Sequence, residues 1–570
     1  MKNKYWVLII AALTVIGTFW TQTELGGKKY RTHQHKEYLS VEDTIPDVQE
    51  AINAEQISES QYNSEAVDIE KLKTHLPVVK IETSEEIPGV PYYEEGYSHR
   101  KYTTTSEGES ELAATMQIID NLDTYNTVND KPAVSTSIRI RVRGNTSRWF
   151  DKKSYAVTTV DGDGTEQDRR IMGMEAAHDW VLHGPFLDKT LMRNYMAMNF
   201  SGELMDFAPD VRFCEVILNG AYQGVYVMME TISRGKGRVD IARPNLTKNV
   251  TGYIVEIDNA TSLPVSALNN FTKYVSVLRK DSFFDLVYPG EEQITPAIKD
   301  YIEKDLSKFE KALYSYDYDT LAYGFNNYVD IEEFADYFII AEVFLQHDTG
   351  NLSTYFYKDV NGKIKPCVWD FNNDLGNIST DNEDDFHIRQ FVSVQAPWFW
   401  MMIKDENYIN LIIDRYREFR QGILSNENIL QYIQDVTEYQ GEAVDRNYAV
   451  WGYSFNSENL DSRNKLHPDE RNPESYEEAV GQMTDELIGR LEWLDENIEV
   501  LKQYCHESAV KKFNHNLLGL FCPEFTSAVV GTFQKVYAHI FSTRFEFLIN
   551  SYTYSGIDRA VFGAVEHQDW

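Results

Sequence analysis

Two aspartates in the segment Ala341–Asn377, AEVFLQHDTGNLSTYFYKDVNGKIKPCVWDFNNDLGN, have the setting that phosphoryl-transfer chemistry needs. The apolar run before Gln346 predicts a helix, after which a polar loop presents His347, Asp348 and Asn351. STYFYKD and KIKPCVW then read as a hairpin around Asn361-Gly362, and its second strand delivers Asp370 just past its end. Asp370 follows Asp348 by 22 residues, a gap suited to a hairpin that returns the chain to where it left. One carboxylate can then accept or orient the proton of an attacking hydroxyl. The other can hold Mg2+ on the β- and γ-phosphates of a nucleotide, whose oxygens gather charge during transfer. Kinase-type phosphotransferases use this order of helix, loop aspartate, hairpin and metal-binding aspartate. Loop aspartates are more often solvated turn residues, and His347 is more often structural than a ligand. The strand ending in Trp369 shifts the balance, because it sets Asp370 at a core edge where an unpaired carboxylate is costly.

A phosphate site also needs cations. RIRVRGNTSRWFDKKSYAV, Arg139 to Val157, reads as two strands joined by a turn containing Gly144, Asn145, Thr146 and Ser147. Such a turn aims backbone N–H groups at phosphate, and Arg143, Arg148, Lys152 and Lys153 supply charge. Arg and Lys on a hairpin are usually solvated. In a chain with 89 acidic and 54 basic residues, net charge −35, this locally positive run stands out. The same net charge repels nucleic-acid phosphates and argues against a DNA or RNA partner. Cys214, Cys367, Cys505 and Cys522 are far apart with no CxxC pair. That excludes a dense disulfide scaffold and a thiolate zinc site, and leaves room for one bridge.

Lys2 and Lys4 precede an uncharged apolar stretch, Tyr5 to Trp20, which reads as an uncleaved membrane anchor in preference to a cleaved signal peptide, with the body exported. Residues 23–77 are polar and acidic and read as a spacer with one weak helix around Val48 to Glu59. Strand alternation begins near Val78 and is strong from Ser135 to Ser147. Glu215 to Ile232 reads as a hairpin turning at Asn219-Gly220, and YIVEID after Gly252 as a further strand. Asp188 to Leu204 has helical spacing, and Asp330 with Glu333 resembles a capping box that opens a helix over IEEFADYFIIAEVFLQ. From Trp398 amphipathic helices dominate, interrupted by a polar loop around Ser454 to Ser475.

RVRGNTSRWFDKKSYAV, HDWVLHGPFLDKTLMRN, VILNGAYQGVYVMMETI and the segment ending VWDFNNDLGN resemble successive motifs of the CotH kinase family, in that family's order. The resemblance covers roughly Val78 to Trp400, and the helical remainder with PWFW and RLEWLDENI is similar to the family's C-terminal part. It implies an α+β, atypical protein-kinase-like two-lobed fold: an antiparallel, β-rich N-lobe and a mainly helical C-lobe behind the anchor. The expected organisation is anchor 1–22, spacer 23–77, catalytic core 78–400, helical part 401–510 and an unassigned tail 511–570. By position the resemblance implies Asp348 as catalytic aspartate and Asp370 as metal ligand. Lys153, or else Lys152, would contact ATP phosphates beside the turn of Arg143, Gly144, Asn145 and Ser147. Glu230 would lie near the adenine, with Asp188 and Arg193 buttressing the nucleotide site. The chain departs from the pattern where a second metal-binding asparagine is expected. Ser353 stands there, five residues after Asp348, and Asn351 is the candidate substitute. Asn372 also stands where the DFG motif of ordinary kinases has glycine.

The implied function is an ATP- and Mg2+- or Mn2+-dependent kinase acting on Ser or Thr hydroxyls of exported, cell-surface or spore-surface proteins. A surface-anchored binding or adhesion protein on the same fold, with catalysis lost, is the alternative. A two-carboxylate glycosidase would explain the aspartates and aromatics but not the basic hairpin.

Overall fold

The computed structural model describes residues 31–37, 48–96, 99–259, 266–271, 282–383 and 386–512. The expected anchor and the tail from Phe513 onward lie outside the described residues. Among those described, no helix is long and apolar enough to cross a membrane.

The first nine strands are β1 (Val78–Thr83), β2 (Pro91–Tyr93), β3 (Arg100–Tyr102), β4 (Leu112–Ile119), β5 (Val134–Val142), β6 (Tyr155–Val160), β7 (Asp179–His183), β8 (Val211–Leu218) and β9 (Ala221–Glu230). β2 and β3 form a small separate ribbon, while the others close into a barrel in the order β1-β4-β5-β6-β7-β9-β8. The period-2 pattern of β5 explains its place. Ile138, Ile140 and Val142 are buried, while Arg139 and Arg141 face outward and share Glu111, at 3.1 and 3.3 Å. The β8–β9 hairpin turns at Asn219 and Gly220, with φ 51° and 76°, the paired left-handed geometry that Asn-Gly favours. Closure comes from β1, which is antiparallel to β4 and parallel to β8, setting Val78 beside Glu215.

A second sheet has the order β11-β10-β12-β13, from β10 (Tyr253–Asn259), β11 (Ser282–Tyr288), β12 (Thr354–Lys358) and β13 (Lys365–Cys367). It packs with α1 (Arg193–Leu204), α2 (Pro296–Leu313), α3 (Ile331–Val343), α4 (Glu406–Arg420), α5 (Asn426–Gln440), α6 (Glu442–Trp451) and α7 (Tyr476–Asn497) around the larger core. Helix starts follow cap chemistry. Asp330 accepts from the Glu333 N–H at α3, Asp405 from Asn407 at α4, Ser425 from Asn428 at α5 and Ser475 from Glu478 at α7. Because Asp405 caps a new helix, the stretch from Trp398 is broken there rather than continuous. The α+β class agrees with the expectation.

The spacer expectation is corrected for residues 48–77. Ala66, Leu72 and Leu76 are fully buried, and Tyr62 packs on Trp451 with ring centroids 4.5 Å apart. Upstream, the Gln34 side chain bonds both the N–H and the carbonyl of Phe213, at 2.7 and 3.1 Å. These segments use two single helical turns, at Gln34–Glu37 and Val48–Ala51, and short 3-10 turns, so their buried residues fall at no regular spacing.

Candidate active site

The loop carrying Asp348 begins where α3 ends. Leu345 turns left-handed at φ 53°, and the Gln346 side chain folds into the protein, 4% exposed. Asp348 caps the next turn with its carbonyl, which accepts from the N–H groups of Asn351 and Leu352 at 2.9 Å each. Thr354 Oγ1, at the start of β12, accepts from Gly350 N–H at 2.9 Å and fastens the loop to the sheet. Gly350 has φ 70°, and a Cβ there would meet Ala396 Cβ at 2.8 Å, so the loop has no room for a larger residue. Asp348 itself is half-buried.

Asp370 follows β13 as expected, but in a conformation the sequence did not announce: φ 60° and ψ 51°, left-handed. Its carbonyl accepts from Gln346 Nε2 at 2.8 Å, and the N–H of Phe371 donates to Asn194 Oδ1 at 2.9 Å. Gln346 Oε1 in turn accepts from the Asp348 N–H at 3.2 Å. A single buried amide therefore ties the two aspartate loops together. Burial pushes the Asp370 carboxyl up from its ordinary value, Arg143 pulls it down and Asp258 pushes it up. The cation acting on Asp370 is thus Arg143, whose guanidinium also lies 5.5 Å from the centre of the Trp369 ring.

The lysines go elsewhere. Lys152, 2% exposed, donates to the Val225 carbonyl at 2.7 Å and Asn447 Oδ1 at 2.8 Å, and burial lowers its pKa strongly. Lys153 donates to the carbonyls of Arg148 and Phe150 and lines a polar cavity with Asp151, Gln223 and Tyr453. Neither is among the groups that shift Asp370. Glu230 is also committed structurally: it accepts from Asp210 N–H at 3.0 Å and lies 3.9 Å from Arg238 Nε. In the Gly144 turn, φ is 109°, and a Cβ would fall 1.9 Å from Ser147 Oγ. Arg148 Nε donates to the Gly144 carbonyl, and Arg100 holds Asn145 Oδ1 at 2.6 Å. Ser147 then lines a narrow cleft with Phe150, His183, Asp188, Asn372 and Asn377, so the turn and the Asp370 loop do meet. Asn351 donates its side-chain amide to the Thr349 carbonyl at 3.3 Å, and Ser353 is left-handed at φ 46°.

Asp188 and Arg193 form a buried support. Asp188 accepts from Thr190 N–H and Oγ1, from Arg193 N–H at 2.9 Å and from Arg193 Nη1 at 2.8 Å. Arg193 Nε lies 3.3 Å from Asp374, which is fully buried with no hydrogen bond to either carboxylate oxygen. Among the described residues no three His, Cys, Asp or Glu converge as a metal cage. Mg2+ on a nucleotide does not need one, since it takes one or two side-chain oxygens plus phosphates and water. Of the candidate oxygen donors, Asn372 lines the cleft, Asp370 stands two residues before it in the same loop, and the Asn351 amide is turned to the Thr349 carbonyl. Asn194, Gln346 and Asp374 were not anticipated. Only the apolar runs around Asn194 and Gln346 marked them as polar residues in buried surroundings.

The fold and site define an α+β protein with two aspartate-bearing loops hydrogen-bonded to each other beside an arginine-containing turn. The family model described as CotH kinase protein matches residues 140–494, more than half of the chain, and the chain belongs to that family. It is also similar to Inner spore coat protein H of Bacillus subtilis (strain 168), 31% identical over 136 residues, 24% of this chain. The matched region spans about a third of that relative's length, 34%.

Proposed function

We propose that this chain is an ATP-dependent protein kinase that phosphorylates Ser or Thr hydroxyls of exported, cell-surface or spore-surface proteins. The observation that supports it most is the Gln346 tie between the Asp348 and Asp370 loops, with Arg143 acting on Asp370. Family membership and the spore-coat name of the relative support the reaction class and the location. In this reading Asp348 orients the attacking hydroxyl and accepts its proton. Asp370, with Asn351 or Asn372, would hold Mg2+, which when bound supplies charge neutralisation at the β- and γ-phosphates. Arg143 and the amides of the Gly144–Ser147 turn face the phosphates, a role transferred from the lysines because their amines are engaged elsewhere. Asp188 and Arg193 buttress the cleft, and Glu230 supports the strand next to it. The anchor would hold the body at the surface.

The test is transfer of labelled phosphate from ATP by the full chain, to itself and to a Ser-rich peptide pool, with Mg2+ and with Mn2+. Asp348→Ala and Asp370→Ala should each lower transfer by on the order of a hundredfold or more, since each removes a group acting at the transition state. Absence of label from folded protein with both metals, and no rise in melting temperature with ATP, would favour the non-catalytic binding protein.

A further inference from the structure

The peptide unit between Asp370 and Phe371 is gripped at both ends by side-chain amides from distant elements. Gln346, just after α3, takes its carbonyl at 2.8 Å, and Asn194, in the first turn of α1, takes its N–H at 2.9 Å. Both are buried, 4% and 3% exposed, and Phe371 beyond them is fully buried. The grip coincides with the left-handed Asp370, a backbone region uncommon for residues other than glycine and one that aspartate tolerates better than most. Rotating this peptide would reverse its carbonyl and N–H, break both of these buried hydrogen bonds, and redirect the Asp370 Cα–Cβ bond. Gln346 also accepts from the Asp348 N–H, so the element that sets the Asp370 peptide also sets the loop carrying the other carboxylate.

We infer that Gln346 and Asn194 are positioning residues that lock the Asp370–Phe371 peptide and thereby fix where the two carboxylates stand relative to each other. The catalytic part of this inference rests on the kinase reading above; the peptide lock itself does not. Gln346→Met and Asn194→Leu keep side-chain bulk and remove the amides. Each should lower kcat by on the order of tenfold or more and raise the Mg2+ concentration needed for half-maximal transfer, while KM for the peptide pool stays put. The double variant should be less impaired than the product of the single effects, because both act on one peptide. Gln346→Glu keeps the acceptor for Asp348 N–H and, when ionised, replaces the donor to Asp370 with an acceptor oxygen that repels its carbonyl. It should reproduce the altered Mg2+ requirement, and it serves if Gln346→Met fails to fold. Independently of catalysis, hydrogen exchange over residues 370–375 should accelerate in each folded variant. Exchange at wild-type rates with an unchanged Mg2+ requirement overturns the inference. If the wild-type chain transfers no phosphate, the kinase reading fails, and exchange alone decides the lock.

Discussion

Two buried ion pairs in this molecule are built to opposite standards. Between β8 and α6, Arg446 meets Glu215 through two hydrogen bonds of 2.8 and 2.9 Å, and Tyr222 donates to the same carboxylate. Both residues are buried, and every carboxylate oxygen has a donor. Beside the cleft, Arg193 is shared between Asp188 and Asp374, and Asp374 receives no hydrogen bond at all. The electrostatic outcomes diverge accordingly. Burial pushes both carboxyls up; Arg446 and the hydrogen bonds more than offset this at Glu215, which ends below its ordinary value. At Asp374, Arg193 opposes burial but Asp188 and Glu486 reinforce it, and the carboxyl ends well above its ordinary value. The first pair fastens the barrel to the helical part. The second leaves an unsatisfied carboxyl four residues past Asp370, one that burial inclines to hold a proton.

The comparison breaks most visibly at Arg446. Arg446→Leu strands Glu215 in a dry interior and should lower unfolding free energy by about 3–5 kcal/mol, read from urea denaturation. A loss below about 1 kcal/mol would show that water reaches Glu215 and that the two pairs do not differ in kind. Asp374→Asn should do the reverse. A raised carboxyl pKa means the folded state holds a proton the unfolded state has released, so wild-type stability falls as pH climbs above 3.8 toward the folded value. The variant lacks that decline and should be more stable by about 1–2 kcal/mol at pH 8, with the gap closing near pH 4. If Asp374→Asn instead lowers stability at pH 8, Arg193 holds Asp374 ionised. For Glu215 the sign is opposite: its contribution is present above 4.5 and lost as pH falls through the lowered folded value. The smallest effect belongs to Glu215→Met combined with Arg446→Leu. Removing both charges should recover most of the single-variant loss, leaving the chain within about 1 kcal/mol of wild type. A double variant as unstable as Arg446→Leu would assign that loss to packing rather than charge.

Features encoded by short-range chemistry were legible in the sequence. Asn219-Gly220 specifies its hairpin because both residues tolerate left-handed backbone, and Asp330 opens α3 because its carboxylate reaches an N–H three residues on. The hairpin between Asp348 and Asp370 was legible for the same reason, with strands at Thr354–Lys358 and Lys365–Cys367. The packing of residues 48–77 was not, since extended chain with 3-10 turns leaves no period to detect. Nor were the fates of Lys152 and Lys153. Which lysine points inward depends on Val225 and Asn447, a strand and a helix far along the chain.

By itself the sequence determined the local elements and the order in which the candidate aspartates appear, because turns, caps and periodic faces act across a few residues. The tertiary structure alone decided which cation lowers the Asp370 pKa against burial, which amides hold its peptide, and that β1 closes the barrel against β8. Those outcomes depend on burial and on pairings between residues far apart in the chain. A polar side chain carries no local mark of the partner it meets once water is excluded.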